Sequence, residues 1–248
     1  MPVSSTPRQL FATTPAERIA LARRQFFEEG QRPSGLVSEA VIQSWMRCHR
    51  QHPDRQRAVA FDPVTPSRLH GTLEHSRGLL QAAEPELSAL ERSLAGTGVT
   101  VLLTDGNGVM LYTSATPPIG YEVPTRHMGQ AGSNLAERTS GTTAPGIVAA
   151  TGQACTVMGG EHYFDDLRAL HCAAAPIRDV QGRVAGVLDL TMLAQPFGFD
   201  AAQLVGQYAT TIENALLQAQ SREHLVLSFQ TSPALLGTPL QGLAGVAA

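Results

Sequence analysis

The stretch CAAAPIRDVQGRVAGVLDLT, residues 172–191, decides the fold of this chain. It contains two runs rich in Ala, Val, Leu and Ile, near 172–178 and 183–191, on either side of a Gln181-Gly182 turn. Apolar runs that are joined by a short glycine-containing loop predict a β-hairpin. Antiparallel pairing is therefore expected between these two runs.

Further strands and helices are predicted on both sides of this hairpin. Residues 99–113, VTVLLTDGNGVMLYT, predict a second hairpin because the DGNG turn separates two apolar runs. Two short helices, near 134–138 and 142–150, and a strand at 154–158 are predicted between the hairpins. The closing helix is predicted from about 200 to 228. This order of antiparallel strands flanked by helices predicts an α+β fold.

The first third of the chain reads as helical. Helices are predicted within 15–30 and 38–50, and a longer helical pattern covers about 66–94. Pro85 is expected to kink or split the long pattern, because proline removes a backbone donor. The Gly- and Ala-rich end of the chain predicts no clear element.

These patterns predict three regions along the chain. They are a helical region at 1–95, a compact α+β domain with a C-terminal helix at 96–230, and a linker at 231–248 that leads into a following domain.

Composition excludes several classes of protein. The 248 residues are 43% hydrophobic with a net charge of -3, which suits a sizeable core and gives no basic footprint for nucleic acid. The basic stretch at 47–57 is interpreted as a solvated helix end. No secretory signal is recognised and no apolar run reaches the ~20 residues that span a bilayer. With three cysteines, this favours a cytoplasmic protein without membrane contact.

The segment GGEHYFDDLRALHC, residues 159–172, concentrates acids, histidines and a cysteine. It lacks the paired ligand spacings of zinc sites, and His171 and Cys172 should point to opposite faces of a strand. No nucleophile elbow or helix N-terminus lies behind Cys155 or Cys172, and no phosphate loop is present. The sequence therefore predicts no catalytic residue, no bound metal and no cofactor.

A binding pocket is the interpretation that remains. Three alanines at 173–175 leave volume above the strand that a helix or a small ligand could fill. The loop of Glu161, His162, Tyr163 and Phe164 could roof that space with aromatic bulk and a few polar groups. Mostly apolar cavities with sparse polar groups are typical of small-molecule sites.

Five segments in this order resemble the sensory GAF domain of the acetoin-catabolism-regulator family of sigma-54-dependent transcriptional activators. They are the Ile-x-Ser-Trp-x-Arg-Cys helix, the Gly-Thr helix start, the Glu-His-aromatic loop, the Cys-x-Ala-x-Pro-Ile strand and the Gly-x-Leu-Asp-Leu-Thr strand, at 42–48, 141–142, 161–163, 172–177 and 186–191. One departure is Thr-Ala-Pro-Gly at 143–146, where the family often has Asn-Ala-Ile-Gly. The identity of the effector is therefore left open.

The resemblance implies a GAF fold with an N-terminal helical extension, a central antiparallel sheet and a ligand pocket on one face. The expected ligand-binding residues are Met128, Leu135, Thr142, Thr143, Ile147, Val157, Glu161, His162, Tyr163, Phe164, Cys172 and Ala174. Their ligand would be a small organic effector of the carbonyl or hydroxyl class.

The resemblance also implies a regulator rather than an enzyme. The ATPase that acts on sigma-54 RNA polymerase and the DNA-binding domain would lie outside this chain, which would not contact nucleic acid itself. Apolar stripes on the outer helices favour a homodimer. Three alternatives stay open: a metal or redox sensor that uses Cys155, Cys172 and nearby histidines, a thiol enzyme such as a methionine sulfoxide reductase, and a purely structural dimerisation module.

Overall fold

The computed structural model describes residues 14–59, 61, 63–114, 129–221, 224–230 and 242–247. Four helices precede the sheet: α1 (Pro15–Phe27), α2 (Glu39–Gln51), α3 (Pro66–His75) and α4 (Arg77–Ser93). Helix α1 begins with a capping box. The Thr14 hydroxyl oxygen accepts from the Glu17 backbone amide, and the Glu17 carboxylate accepts from the Thr14 backbone amide. Ser38 and Thr65 cap α2 and α3 through their hydroxyl oxygens.

The centre of the molecule is a five-stranded antiparallel sheet. Its strands are β1 (Thr100–Asp105), β2 (Met110–Thr113), β3 (Cys155–Met158), β4 (Leu170–Arg178) and β5 (Val184–Leu193). They are arranged in the order β2-β1-β5-β4-β3. Helices α5 (Glu137–Ser140) and α6 (Ala144–Thr151) lie between β2 and β3 in the chain, and α7 (Ala201–Gln220) follows β5.

Different helices cover the two faces of the sheet. Cys172 and Ala174 on β4 belong to a core shared with α1, α2 and α6. Ala173 and Ala175, which alternate with them, belong to a second core shared with α4 and α7. Period-two alternation therefore divides one strand between two helical layers. We call the side that carries Cys172 the sensor face, after the sensory role that the resemblance implies, and the side against α7 the output face.

The long N-terminal helical pattern divides at Ser76, so the expectation that Pro85 would split it was wrong. Ser76 ends α3 and leaves the helical region before α4 begins at Arg77. Pro85 lies inside α4, which continues to Ser93. Pro85 and Gln81 are exposed, so water can satisfy the Gln81 carbonyl that proline leaves without an intrahelical donor.

The closing helix is also shorter than predicted. Helix α7 ends at Gln220, and strand β6 (His224–Phe229) pairs with β7 (Gly242–Ala247), where neither strand was predicted. A short apolar run such as HLVLSF fits a strand as well as a continuing helix, so periodicity alone could not separate them.

Helix α2 is docked on the sheet by polar contacts as well as by apolar burial. The Trp45 Nε1 donates to the Glu161 backbone carbonyl at 2.7 Å, and the Trp45 side chain is fully buried. The Ser44 hydroxyl donates to Thr142 Oγ1 at 2.8 Å. These bonds attach α2 to the two segments that frame the sensor face, the loop after β3 and the start of α6.

Arg47 and Glu137 add a two-pronged ion pair between α2 and α5. Arg47 Nε and Nη2 each donate to one Glu137 carboxylate oxygen at 2.6 Å, and the Glu137 side chain is 8% exposed. Parallel bonds of this kind are among the stronger charge-assisted contacts in proteins. The pair therefore fixes α2 against the short helix that begins the α5–α6 segment.

Removing one partner of this pair should be costly. Arg47→Ala leaves a buried carboxylate uncompensated, and we expect a loss of about 3 kcal/mol in the free energy of unfolding measured in urea. Arg50→Ala, on the same helix at an exposed position, is the matched control and should cost less than about 0.5 kcal/mol. Equal losses for the two variants would contradict the role of the ion pair.

Candidate functional site

A row of four buried polar side chains crosses the sensor face. Strand β5 places Asp189 and Thr191 two residues apart on this side, and Thr191 Oγ1 donates to Asp189 Oδ2 at 2.6 Å. Thr191 Oγ1 also lies 3.3 Å from Cys172 Sγ on the neighbouring strand. Cys172 Sγ in turn lies 3.6 Å from His162 Nε2. These four residues, Asp189, Thr191, Cys172 and His162, are called the polar row below.

The loop after β3 delivers His162 to the end of the polar row. Gly159 begins a turn with φ +50°, and the His162 Nδ1 lies 3.0 Å from the Gly159 carbonyl oxygen. Arg23 on α1 donates to the carbonyls of Gly160 and His162 at 2.8 and 2.7 Å. The loop is therefore held by the Arg23 guanidinium from α1 and by the hydrogen bond between the His162 ring and the Gly159 carbonyl within the loop itself.

The hydrogen-bond partners decide the tautomer of His162. A carbonyl oxygen only accepts, so Nδ1 carries the proton and Nε2 is left as an acceptor toward Cys172. Burial lowers the pKa of His162 to about 4, so the ring is neutral near pH 7. The ring is therefore an acceptor at the end of the polar row rather than a positive charge.

Asp189 lacks a hydrogen-bond donor for one of its two oxygens. No described residue donates to Oδ1, although this atom is shielded from water. The register explains this, because Asp189 lies between Ala174 on β4 and Leu102 on β1, neither of which has a polar side chain. Burial raises the pKa of Asp189 to about 7. An incompletely satisfied buried carboxyl group is costly and is characteristic of functional sites.

The protonation state of Asp189 decides how the polar row is ordered. When Asp189 is protonated, it can donate to Thr191, Thr191 to Cys172 and Cys172 to the bare Nε2 of His162, so each contact has one donor and one acceptor. When Asp189 is ionised, Thr191 donates to it, and the single Cys172 proton cannot serve both of its neighbours. Oδ1 lacks a protein donor among the described residues in both states.

The two aromatic residues of the loop are interior rather than surface groups. Tyr163 and Phe164 are fully buried, with their rings 5.2 Å apart and nearly perpendicular. The Tyr163 hydroxyl donates to the His52 carbonyl oxygen. Gly141, with φ +66°, is required below them because a Cβ there would lie 2.8 Å from a Phe164 ring carbon. The loop thus packs beneath α1 and α2.

The predicted site residues that the structure describes gather on the sensor face. Seven of them belong to one apolar core: Leu135, Ile147, Val157, Tyr163, Phe164, Cys172 and Ala174. Thr142 accepts from Ser44, and Thr143 caps α6 by accepting from Gly146 N at 3.1 Å. Met128 lies outside the described residues.

Glu161 uses its carboxylate to close the turn after β3. Its Oε2 accepts from the Met158 backbone amide at 2.8 Å. Burial raises the pKa of Glu161 to about 7, opposed by that hydrogen bond. Oε2 of Glu161 therefore already has a structural partner, whereas Oδ1 of Asp189 has none among the described residues.

The cysteines of the sensor face are free thiols in an environment that keeps them protonated. Burial raises the pKa of Cys155 to about 12 and that of Cys172 well above its ordinary value. The reactive form of cysteine is the thiolate, so these sites disfavour thiol chemistry. Among the described residues, no three His, Cys, Asp or Glu side chains converge on a position that could hold a metal ion.

Asp189 and Thr191 are site residues that the sequence patterns did not predict. The available signal was VLDLT at 187–191, in which Asp189 interrupts an apolar run. Asp189 and Thr191 are two residues apart and therefore face the same side of a strand. A strand that is apolar on both sides leaves such a residue without water, whichever face it occupies. The number of available donors, however, depends on the strand register.

Comparison with known families identifies the chain. Residues 13–209 match the family described as the MimR N-terminal domain. The chain belongs to this family. The earlier resemblance to the acetoin-catabolism-regulator family of sigma-54-dependent activators is confirmed, as is the prediction that the chain is not an enzyme, because its relatives are regulators of transcription.

Two relatives give the extent of the similarity. The acetoin catabolism regulatory protein of Cupriavidus necator is 33% identical over 208 residues, 80% of this chain and 30% of that protein. The propane 2-monooxygenase operon transcriptional activator MimR of Mycolicibacterium smegmatis is 33% identical over 188 residues, 74% of this chain and 30% of that protein. The chain thus spans about 30% of the curated relatives that it matches.

A solved structure confirms the fold prediction. The E. coli DhaR(N)–DhaL complex contains a chain that matches with a TM-score of 0.68 at 19% identity, covering 78% of this chain and 71% of that one. The fold is therefore an α+β GAF-like domain with an N-terminal helical extension. None of the described helices is long and apolar enough to cross a membrane.

Replacing Asp189 should change how stability depends on pH. Its folded pKa of about 7 lies above an unfolded value of ~4, so the folded chain keeps a proton that the unfolded chain loses. The associated stability is fully present below pH 4 and lost as pH rises through 7. Relative to Asp189→Asn, the wild-type free energy of unfolding should fall by roughly 3–4 kcal/mol over this interval.

Urea denaturation at several pH values measures this difference. Glu84→Gln, which removes a carboxylate from an exposed position on α4, is the matched control for loss of one negative charge. A wild-type slope that is no steeper than that of Asp189→Asn would contradict the assignment of Asp189 as a buried, proton-retaining group.

Proposed function

We propose that this chain is the effector-sensing domain of a sigma-54-dependent transcriptional activator, with its ligand site at Asp189 on the sensor face. The observation that supports this most directly is the buried Oδ1, for which the described residues provide no donor. A small compound with a hydroxyl group would supply that donor. The surrounding apolar core would favour the carbon skeleton of the same compound.

The names of two relatives agree with this class of effector. They are regulators of acetoin catabolism and of an acetoin dehydrogenase operon. Acetoin itself carries one hydroxyl group beside a carbonyl group. We extend this chemistry to the present chain as a small, neutral hydroxyl compound, and the predicted ligand-binding residues on the sensor face remain part of the proposal.

Effector binding would require the sensor face to open. Asp189, Ala174 and Ile147 are at most 1% exposed, so a ligand cannot reach the carboxyl group while α6 and α2 are docked. The ligand would therefore favour a conformation that differs from the closed one. Coupling of this kind is typically worth ~1–3 kcal/mol between two sites.

Strand β5 provides the route to the output face. Leu188 and Leu190 flank Asp189 and point to the opposite side, into the core that contains Val205 and Ile212 of α7. A displacement of β5 at the ligand would thus be felt at α7. The ATPase and DNA-binding domains that would receive the signal lie, in this proposal, outside the present chain.

Two sets of contacts cross the proposed region boundaries. We retain 1–95, 96–230 and 231–248 as the helical region, sensor and linker, but α1 and α2 share the apolar core of the sheet, and β7, inside the proposed linker, pairs with β6 of the sensor. The sensor would therefore need both helices to keep its closed form. A cytoplasmic location is also kept as a proposal, since transcription is controlled at the chromosome.

A matched pair of small molecules tests the effector class. Acetoin and butane-2,3-dione have the same skeleton and differ by one hydroxyl group. We expect acetoin or butane-2,3-diol to raise the melting temperature of the chain and the dione to have less effect, because only a hydroxyl can donate to Asp189. A ligand at 100 times its dissociation constant stabilises a fold by about 2.7 kcal/mol.

Two variants control the ligand experiment. Asp189→Asn replaces an acceptor with an amide that can donate, so the preference for the hydroxyl compounds should disappear or invert. Glu84→Gln should respond as the wild type does. If hydroxyl compounds stabilise Asp189→Asn as strongly as the wild type, Asp189 is not their acceptor.

We also propose that the chain forms a homodimer through its outer helices. Helix α3 buries none of its residues, and Leu69 and Leu73 remain half-buried on it. Light scattering should give twice the chain mass of 26.3 kDa. Leu69→Glu should shift the mass toward the monomer and Arg68→Glu, at an exposed neighbouring position, should not. A monomeric mass at high concentration would contradict the dimer.

A further inference from the structure

A groove on the outside of the molecule lies between α1 and the turn after β3. It has a volume of about 890 Å³ and is separate from the polar row. Ala16, Ile19 and Ala20 form one wall at helical spacing, and Gly159 and Gly160 form part of the other. Residues that line it extend along α1 from Thr14 to Glu28, which corresponds to roughly 20 Å of helix.

The wall of the groove on α1 is apolar, and small residues there leave the groove open. Ala16 and Ala20 are exposed and Ile19 is half-buried. A Cβ at Gly160 would lie 2.9 Å from Ile19 Cγ2, so glycine keeps this end of the groove clear of further bulk. Pro196 contributes to the same surface from the segment after β5.

The rim of the groove carries more positive charge than negative charge. Its charged lining residues are four arginines and two acids: Arg23, Arg24, Arg55, Arg168, Glu28 and Asp165. A single oxygen, Asp165 Oδ1, accepts from both Arg23 and Arg168, at 2.8 and 2.6 Å. One carboxylate is therefore shared between two guanidinium groups. Arg24 is paired with Glu29 at 3.4 Å, so the surplus of positive charge lies at Arg23, Arg168 and Arg55.

Two further observations support this local surplus. Burial lowers the pKa of Arg23 to about 10, and Arg168 and Arg55 add repulsion. The Arg55 guanidinium lies 4.1 Å from the centre of the Phe27 ring, with no ion pair found for it among the described residues. The chain as a whole has a net charge of -3, so the positive charge of the groove is opposite in sign to the net charge of the chain.

We propose that this groove binds an acidic, amphipathic segment of another protein. The segment would place apolar side chains against Ala16, Ile19 and Ala20 and present carboxylates to the arginine rim. The length of the groove along α1 suits a peptide rather than a single small anion. Because α1 also holds the loop of His162 through Arg23, a partner in this groove would act on the same loop as the effector from the opposite side.

Ala20 offers a test with matched variants. Glutamate and lysine are similar in length and in helix propensity, and Ala20 is exposed, so both variants should fold. Ala20→Glu places a negative charge in the groove, one helical turn before Arg24, whereas Ala20→Lys adds to the basic rim. Identical circular dichroism and melting curves establish that the comparison concerns binding alone.

The probe is a fluorescein-labelled peptide of Leu, Ala and Glu with net charge −6, and fluorescence anisotropy is measured with the full 248-residue chain. The control peptide has every Glu replaced by Lys. We expect the acidic peptide to bind, the lysine peptide not to bind, Ala20→Glu to weaken binding about tenfold and Ala20→Lys to leave it equal or tighter. Raised salt should weaken the interaction.

Several outcomes would overturn the proposal. They are equal affinity of the two peptides, equal affinity of the two Ala20 variants, and displacement of the acidic peptide by millimolar glutarate, which would indicate a site for a small dicarboxylate. Binding to phosphatidylserine vesicles without binding to the peptide would indicate a membrane surface instead. Effector-dependent melting does not enter any of these readouts, so the groove can fail while the effector site stands.

Discussion

The pairing of β4 with β5 is the constraint on which the rest of the structure depends. The two strands are matched from Leu170 to Arg178 and are covered on both faces. Because side chains alternate, every residue of β5 must face either the α2 and α6 layer or the α4 and α7 layer. Asp189 has no solvent-exposed alternative, and its unmet hydrogen-bonding capacity follows from the strand register.

Local sequence signals predicted most of the sheet but not the packing around it. Gly182 has φ +76° in the predicted turn, and the apolar runs beside it form β4 and β5. The break at Ser76 was missed because a proline signal is visible in sequence, whereas the exposure that makes Pro85 tolerable is a tertiary property. The strand β6 was read as helix because six apolar-rich residues do not define a period.

The candidate site was predicted only in part, because residue type is visible in the sequence and tertiary contacts are not. His162 and Cys172 were recognised by residue type, and the structure brings them within 3.6 Å of each other. Asp189 was overlooked because its importance lies in missing partners, and the partners of a strand residue are set by chain segments far away in sequence. The role of the Ser-Trp-x-Arg-Cys motif of α2 likewise depends on contacts between residues that are distant in sequence. Ser44 bonds to Thr142 and Arg47 to Glu137.

In the proposed effector site, the polar row would also link a hydroxyl effector to the proton on Asp189. In the closed form protonation is favoured, because burial penalises the anion and because only the protonated row satisfies each of its contacts. A hydroxyl donor at Oδ1 interacts more strongly with the anion than with the neutral acid. Effector binding should therefore lower the pKa of Asp189 and release a proton, so that reciprocal linkage favours binding as pH rises toward 7. The sensor would recognise its ligand by supplying the donor that the fold withholds.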